Sequence, residues 1–442
     1  MLPILYHRSM LAAAPNQSRV LSFEDARRVV EDRAAQMKPR GKESVPLLNA
    51  SGRILAEPIV ADRDIPPFSR STRDGYAIHA ADAAQLPAKL QVIGEIKAGV
   101  HASDVPLKLD RGEAVAIMTG APVPLGADAV VMVEYTAQEG RYVEITRGVE
   151  HGENVVAQGA EGRRSGLLLA PGAQLNHAAI ALAASVGKSR VEVFLRPGVA
   201  VLTTGDEIVD IDSAPGPTQI RNSNSYSLAA QIQQAGGQPL LLPVAPDEPR
   251  QLRRRIEEGL QSELLLMTGG VSMGRYDLVE QVLSEMRAEF FFTGAKIQPG
   301  RPVVFGRVGC GAGILFNKLS AGLEAASSPE HKYFFGLPGN PVSTMVTFEL
   351  FARPILEALA GMSPRNLVFV HARLKAAIHV KTGLQRFLPA ILSGEFENSC
   401  VELIPWQGSG DIAATARANC YIVIPPDCGS IPAGEWAAVM MC

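Results

Sequence analysis

Cysteine is sparse: five in 442 residues. Cys310, Cys400, Cys420, Cys428 and Cys442 form no Cys-x-x-Cys pair and no zinc spacing, and their odd number suits a reducing compartment. A disulfide framework and a thiol-disulfide enzyme are therefore excluded. Long apolar runs are missing too: no stretch of 18 apolar residues occurs, and His7 and Arg8 interrupt the short apolar run near the start. Residues 1–17 read as a disordered extension. Excess positive charge is absent, with 42 Lys and Arg against 45 Asp and Glu. The densest basic cluster, Arg253 to Arg255, lies beside Glu257 and Glu258 and reads as a solvated helix face. No basic face remains to capture nucleic acid or an acidic membrane, and the expected setting is the cytoplasm. The eight histidines are scattered, so neither a histidine-based triad nor a metal cluster is visible.

What is present is an ordinary globular composition, 47% hydrophobic and 20% charged, on a chain long enough for several domains. The most informative stretch runs from Leu264 to Asp277: an apolar strand empties into a glycine-rich turn that ends on a carboxylate. Gly269, Gly270 and Gly274 admit backbone angles and close approaches that a side chain would block, and Ser272 adds a hydroxyl donor. Such a loop suits a phosphate or oxyanion. Upstream, residues 199–202 form a second apolar strand leading into Thr203-Thr204-Gly205-Asp206-Glu207. Between the two loops the pattern predicts a helix over 225–235 stopped by Gly236-Gly237, a strand over 240–242 and a helix over 249–261. The order β-α-β-α-β implies a parallel sheet covered on both faces, with ligands bound beyond the carboxyl ends of its strands.

Around this module the chain divides further. The expected boundaries are an N-terminal helix at 18–45 packing on the α/β domain, a linking domain from 46–60 and 157–195, a β-rich domain at 61–156, the α/β domain at 196–362 and a C-terminal β-barrel at 363–442. Ser22-Phe23-Glu24-Asp25 resembles a helix-capping arrangement. Residues 130–134 and 142–145, separated by Gln138-Glu139-Gly140, read as a β-hairpin, 176–186 as a small helix and 342–359 as a longer one. The C-terminal strands are expected at 369–378, 387–392, 401–404 and 421–424. Asp247, just before Glu248-Pro249, reads equally as a helix N-cap and as a site carboxylate.

Two polar segments in the β-rich half complete a set: Ser71-Thr72-Arg73-Asp74-Gly75-Tyr76-Ala77 and Ile117-Met118-Thr119-Gly120-Ala121-Pro122-Val123-Pro124. With the two strand-end loops, Gln298-Pro299-Gly300-Arg301-Pro302 and Leu337-Pro338-Gly339-Asn340-Pro341-Val342-Ser343, they make six ordered motifs. From about residue 22 to its end the chain resembles the molybdopterin molybdenumtransferases, represented also by the gephyrin E domain. The resemblance implies insertion of molybdate into adenylylated molybdopterin with release of AMP, assisted by Mg2+. It places Glu207, Asp277 and Asp74 at the metal, adds Thr119 and Asp247 to the reacting centre, and assigns Gly205, Asp206, Gly269, Gly270, Ser272 and Gly274 to ligand binding. Gly300, Arg301, Pro338, Gly339, Asn340, Pro341 and Ser343 would hold the pterin and its phosphate. It also implies a homodimer whose β-rich module carries Asp74 and Thr119 into the neighbouring cleft, and transient contacts with the adenylyltransferase and with molybdoenzymes. Both substrates are anionic, so a carboxylate-lined site makes sense only if a divalent cation bridges acid and phosphate oxygens.

The chain departs from the family pattern at Ser69, Glu161, Gln298, Gly294 and Pro389, where aspartate, aspartate, lysine, lysine and arginine are common; Lys296 stands near two of these positions, and Ser409 is retained. Two other readings compete with the insertase. One is a molybdopterin adenylyltransferase-like enzyme acting a step earlier, and the other is a non-catalytic carrier or scaffold that binds the pterin.

Overall fold

The structure, a computed structural model, describes residues 19–100, 108–270, 278–309 and 331–441. It separates into two compact units, Ser44–Val193 and the remainder, the latter joining the segment up to Glu43 to Phe194–Cys442.

The larger unit is built on a six-stranded sheet in the order Gln238–Leu241, Gly198–Thr203, Leu264–Thr268, His331–Leu337, Val304–Gly309, Glu289–Phe292. The first four strands are parallel. Val304–Gly309 pairs antiparallel with the fourth strand and Glu289–Phe292 antiparallel with Val304–Gly309, extending the sheet beyond the expected β-α-β-α-β core. Strand alternation sorts side chains into two cores. Val199, Val201, Leu264 and Leu266 face Ala26, Val30, Leu228, Ile232 and Val346. Ala200, Leu202, Leu265 and Met267 face Leu252, Ile256, Val279 and Val282. Strands buried on both faces carry continuous apolar runs, as the sequence does here. The edge strand tolerates Pro239, which has no amide hydrogen to donate.

Local signals explain the helices. Ser22 accepts the amide of Asp25 at 3.0 Å and starts Phe23–Ala34, while Asn224–Gln234 ends at Gly236 in the left-handed region, φ +87°. Glu248, not Asp247, caps Pro249–Gly259, accepting from the amides of Arg250 and Gln251. The helix expected over 342–359 is interrupted: Pro341–Thr347 passes into a π-turn at Phe348–Ala352 before Arg353–Leu359 resumes. The buried guanidinium of Arg27, from the first helix, donates to the carbonyl of Leu350 in that turn. An outside donor inserted into the helical ladder accounts for the irregularity.

At the C-terminal end five strands close a barrel: Gln385–Ser393 pairs with Cys400–Leu403, then Phe369–Leu374, Trp436–Met441 and Cys420–Ile424, which returns to the first. Trp436–Met441 was not among the expected strands. The barrel's longest strand also pairs with Ile297–Gln298, fixing the start of the Gln298-Pro299-Gly300-Arg301 loop.

The smaller unit, Ser44–Val193, holds a six-stranded sheet in the order Ala129–Met132, Gly75–Ile78, Glu113–Ile117, Ala88–Ile96, Tyr142–Ile145, Thr136–Glu139. This corrects the expected hairpin. Ala129–Met132 pairs with Gly75–Ile78, and Tyr142–Ile145 pairs with Thr136–Glu139 across a tight turn in which Gly140 adopts φ +62°. A 3-10 turn at Val133–Tyr135 breaks the apolar run that had suggested one continuous strand. A further core in this unit gathers Leu55, Ile59, Leu175, Ala183 and Val193 around helix His177–Ser185, capped by Asn176.

Candidate active site

Three loops leave the carboxyl ends of neighbouring parallel strands, and hydrogen bonds tie them into one assembly. After Gly198–Thr203, the hydroxyl of Thr204 donates to Asp247 at 2.9 Å, and the amide of Asp247 donates to Asp206 at 3.1 Å. Asp206 and Asp247 thus brace each other. A Cβ at Gly205, where φ is +143°, would stand 2.7 Å from Glu207 Oε2, so glycine is what lets the Glu207 carboxylate fold back over the turn. After Leu264–Thr268, Gly269 adopts φ +88°, and a Cβ there would lie 2.2 Å from the carbonyl oxygen of Thr204. Gly270 follows at φ +62°. The expected site residues Ser272, Gly274 and Asp277 lie outside the described residues.

The third loop, Pro338 to Pro341, is drawn to the second by side chains. Asn224 donates to Thr268 Oγ1 at 2.9 Å and to the carbonyl of Gly339 at 2.7 Å, and the Thr268 hydroxyl donates to the carbonyl of Pro338 at 3.1 Å. Thr203, Asn222 and Ser225 form a second buried network of their own. Asn222 and Asn224 were missed from the sequence, although the polar run 222–225 at the head of a helix was a signal for them.

On its other side the third loop meets the barrel. Asn340 donates to Ser409 Oγ at 2.9 Å, and the Val342 amide donates to the Ser409 carbonyl at 3.0 Å. Beside this junction lies a cavity of about 370 Å3. Of the residues expected to bind the substrate, Gly300, Arg301, Pro338, Asn340 and Ser343 line it, together with Gln298, Leu384, Trp406 and Ser409. Gly339 instead backs onto Gly269, where an added Cβ would stand 3.5 Å from the Gly269 Cα, and Pro341 forms the first turn of its helix. Gly300, at φ +102°, brings the loop so close to the following helix that a Cβ would meet Thr347 Cγ2 at 2.4 Å.

In the smaller unit, Asp74 and Thr119 are joined directly. The Thr119 amide donates to Asp74 Oδ1 at 2.6 Å and its hydroxyl to the same oxygen at 2.9 Å. The amide bond first, then the hydroxyl bond, hold the Asp74 carboxyl below its ordinary range. Gly75 is required for packing: a Cβ would stand 1.8 Å from the carbonyl oxygen of Val131.

The departures have structural counterparts. Glu161 pairs with Arg70 at 2.8 Å. A side chain at Gly294 would press on Val20, 3.1 Å from its Cγ2, so a lysine there requires Val20 to move. Lys296 is exposed and does not line the cavity, while Pro389 is a strand residue of the barrel opposite Tyr421. Among the described residues Arg301 is the one charged residue in the cavity lining.

No group of three His, Cys, Asp or Glu side chains placed to hold a metal occurs among the described residues. Asp206 is tied to Asp247, and Glu207 lies over the same turn at Gly205, so all three carboxylates belong to the loops at this edge of the sheet. No helix among the described residues is long and apolar enough to cross a membrane.

Strand-end glycine loops, acidic at one end and backed by a barrel at the other, define a multidomain α/β protein with a candidate ligand site beyond the carboxyl ends of its strands. Comparison with known proteins narrows this class. Residues 21–187 match the MoeA N-terminal region (domain I and II), 200–358 the probable molybdopterin binding domain and 371–441 the MoeA C-terminal region (domain IV). The molybdopterin molybdenumtransferase of Nostoc sp. is 35% identical over 87% of this chain and 85% of its own, and that of Synechococcus elongatus 32% identical over 94% and 98%. The crystal structure of the molybdopterin biosynthesis moeA protein from Pyrococcus horikoshii superposes with a TM-score of 0.72 at 27% identity, over 96% of this chain and all of that one. The chain belongs to the MoeA family of molybdopterin molybdenumtransferases.

Proposed function

We propose that this protein acts in molybdenum cofactor biosynthesis as a transferase that inserts molybdate into adenylylated molybdopterin and releases AMP. The observation that carries this reading is the hydrogen-bonded assembly of the Thr204–Glu207, Gly269–Gly270 and Pro338–Pro341 loops at the carboxyl edge of the sheet. The adenylyltransferase and carrier readings lose support because the matched regions include both flanking MoeA regions as well as the central domain.

In this reading Glu207, Asp277 and Asp74 hold magnesium, with Asp206 and Asp247 keeping the first loop in shape. The ion, when bound, neutralises phosphate charge. Arg301 adds a permanent cation for an anionic group, and the amides of Gly269, Gly270 and Gly339 serve as donors to phosphate oxygens. Ser272 and Gly274 are assigned to ligand binding with them. Thr119 fixes the Asp74 carboxylate through Oδ1, leaving Oδ2 to serve the ion. Cleavage of the phosphoanhydride asks for positioning and charge neutralisation rather than a protein nucleophile. A homodimer sharing its sites through Asp74 and Thr119 completes the reading, with the cytoplasm as the setting.

Purified protein, adenylylated molybdopterin, magnesium and molybdate test it through the variants Glu207→Ala and Asp277→Ala. Each is expected to lower the AMP-release rate by at least about 100-fold, the scale on which preorganised electrostatic groups act. Wild-type rates in both variants would refute the assignment of the acids.

A further inference from the structure

The cavity beside the third loop contains more apolar wall than an oxyanion needs. Trp406, Ile297, Pro299, Pro302 and Leu384 supply that wall, while Arg301 lies among the polar side chains. A tetrahedral oxyanion is satisfied by donors and gains little from an indole or from prolines. A flat heteroaromatic ring gains from both, because its face stacks and its edge bonds.

Trp406 is held for this role. It lies between strand Cys400–Leu403 and helix Ile412–Arg417, and its side chain packs against both the central-domain core and the barrel core. Wedged between two cores it loses little freedom when a ligand arrives, which favours affinity. The other tryptophan, Trp436, carries the Arg373 guanidinium over its ring at 4.6 Å. Among the described residues no ring or cation is found over Trp406 in that manner.

We propose that Trp406 is the stacking wall for the planar pterin ring of the substrate and a specificity-determining residue of the site. The proposal rests on the reading of the site given above, and it assigns the ring to the apolar wall and the anionic end to Arg301.

The two tryptophans make the test direct. In the full-length Trp436→Phe variant Trp406 is the only indole, and its fluorescence is titrated with a phosphate-free pterin, with AMP and with molybdate, each in the presence of magnesium. The pterin is expected to quench it saturably and molybdate to leave it unchanged. By calorimetry, Trp406→Leu is expected to raise the pterin Kd about tenfold, equivalent to about 1.4 kcal/mol, with Trp406→Tyr within about threefold of the parent. In AMP release the leucine variant should raise KM more than it lowers kcat. Quenching by molybdate but not by pterin, or an unchanged pterin Kd in a folded Trp406→Leu variant, overturns the proposal. If that variant fails to fold, the titration of the native indole decides. Pterin quenching without AMP release by the wild type would keep the stacking wall and remove the insertase reading; AMP release without quenching would do the reverse.

Discussion

Single glycines and carboxylates carry much of this site, and their effects separate cleanly. Gly269 and Gly120 both adopt positive φ, +88° and +83°, yet a Cβ at Gly269 would strike the Thr204 carbonyl while one at Gly120 would meet nothing within 4 Å. Gly120→Ala should therefore cost only the backbone term, about 1 kcal/mol, and Gly269→Ala should exceed about 3 kcal/mol by urea unfolding, because the loop must also move. The Asp74 carboxyl is held below its ordinary range by its bonds to Thr119, so its contribution to stability is present above that range and is lost only as pH falls through the lowered pKa. Thr119→Val removes the smaller of the two lowering bonds and keeps the backbone one. NMR titration of the Asp74 side chain should show a partial rise toward the ordinary value, and no rise would contradict the geometry. Cys420 behaves oppositely, since burial pushes its thiol from 9.0 to about 11. A raised folded pKa means stability present below pH 9 and eroding as pH rises toward 11, and at pH 8 thiol reagents should label Cys400 and Cys428 well before Cys420.

Among the elements, those fixed by local chemistry were legible and those fixed by distant contacts were not. Ser22 and Asn176 announce their helices because a cap is written in adjacent residues. The glycine loops were legible for the same reason: a positive φ after an apolar strand needs glycine whatever lies beyond. The pairing of 129–132 was misread because its run of Ala, Val, Val and Met suits any neighbour, and only the register with Gly75–Ile78 decides. Nothing in 342–359 signals a π-turn, since the donor that supports it, Arg27, is 323 positions away. That contact gives a test. Arg27→Met should destabilise the larger unit by about 1.5–3 kcal/mol, the scale of a charged hydrogen bond to a buried carbonyl, whereas Arg28→Met, at an exposed ion pair, should stay within about 0.5 kcal/mol in the same urea titration. Trp406 escaped notice likewise, because the strand-end loops and the barrel meet only in three dimensions.

For the whole molecule, the division into two units and the three matched regions show how a long chain of unremarkable composition becomes specific. Carboxylates proposed for one reaction are distributed between units, Asp74 in Ser44–Val193 and Glu207 in the other. The proposed shared-site homodimer makes a quantitative claim: mixing inactive Asp74→Asn and Glu207→Ala proteins, after subunit exchange, should restore about a quarter of wild-type activity, because half the dimers then carry one intact site. No recovery from freely exchanging subunits would place both carboxylates in sites built from one chain. The most direct test of the account is AMP release from adenylylated molybdopterin by the wild-type protein with magnesium, measured with and without molybdate. Release that depends on molybdate is the predicted result; tight binding of the nucleotide-pterin with no AMP release under either condition would contradict it.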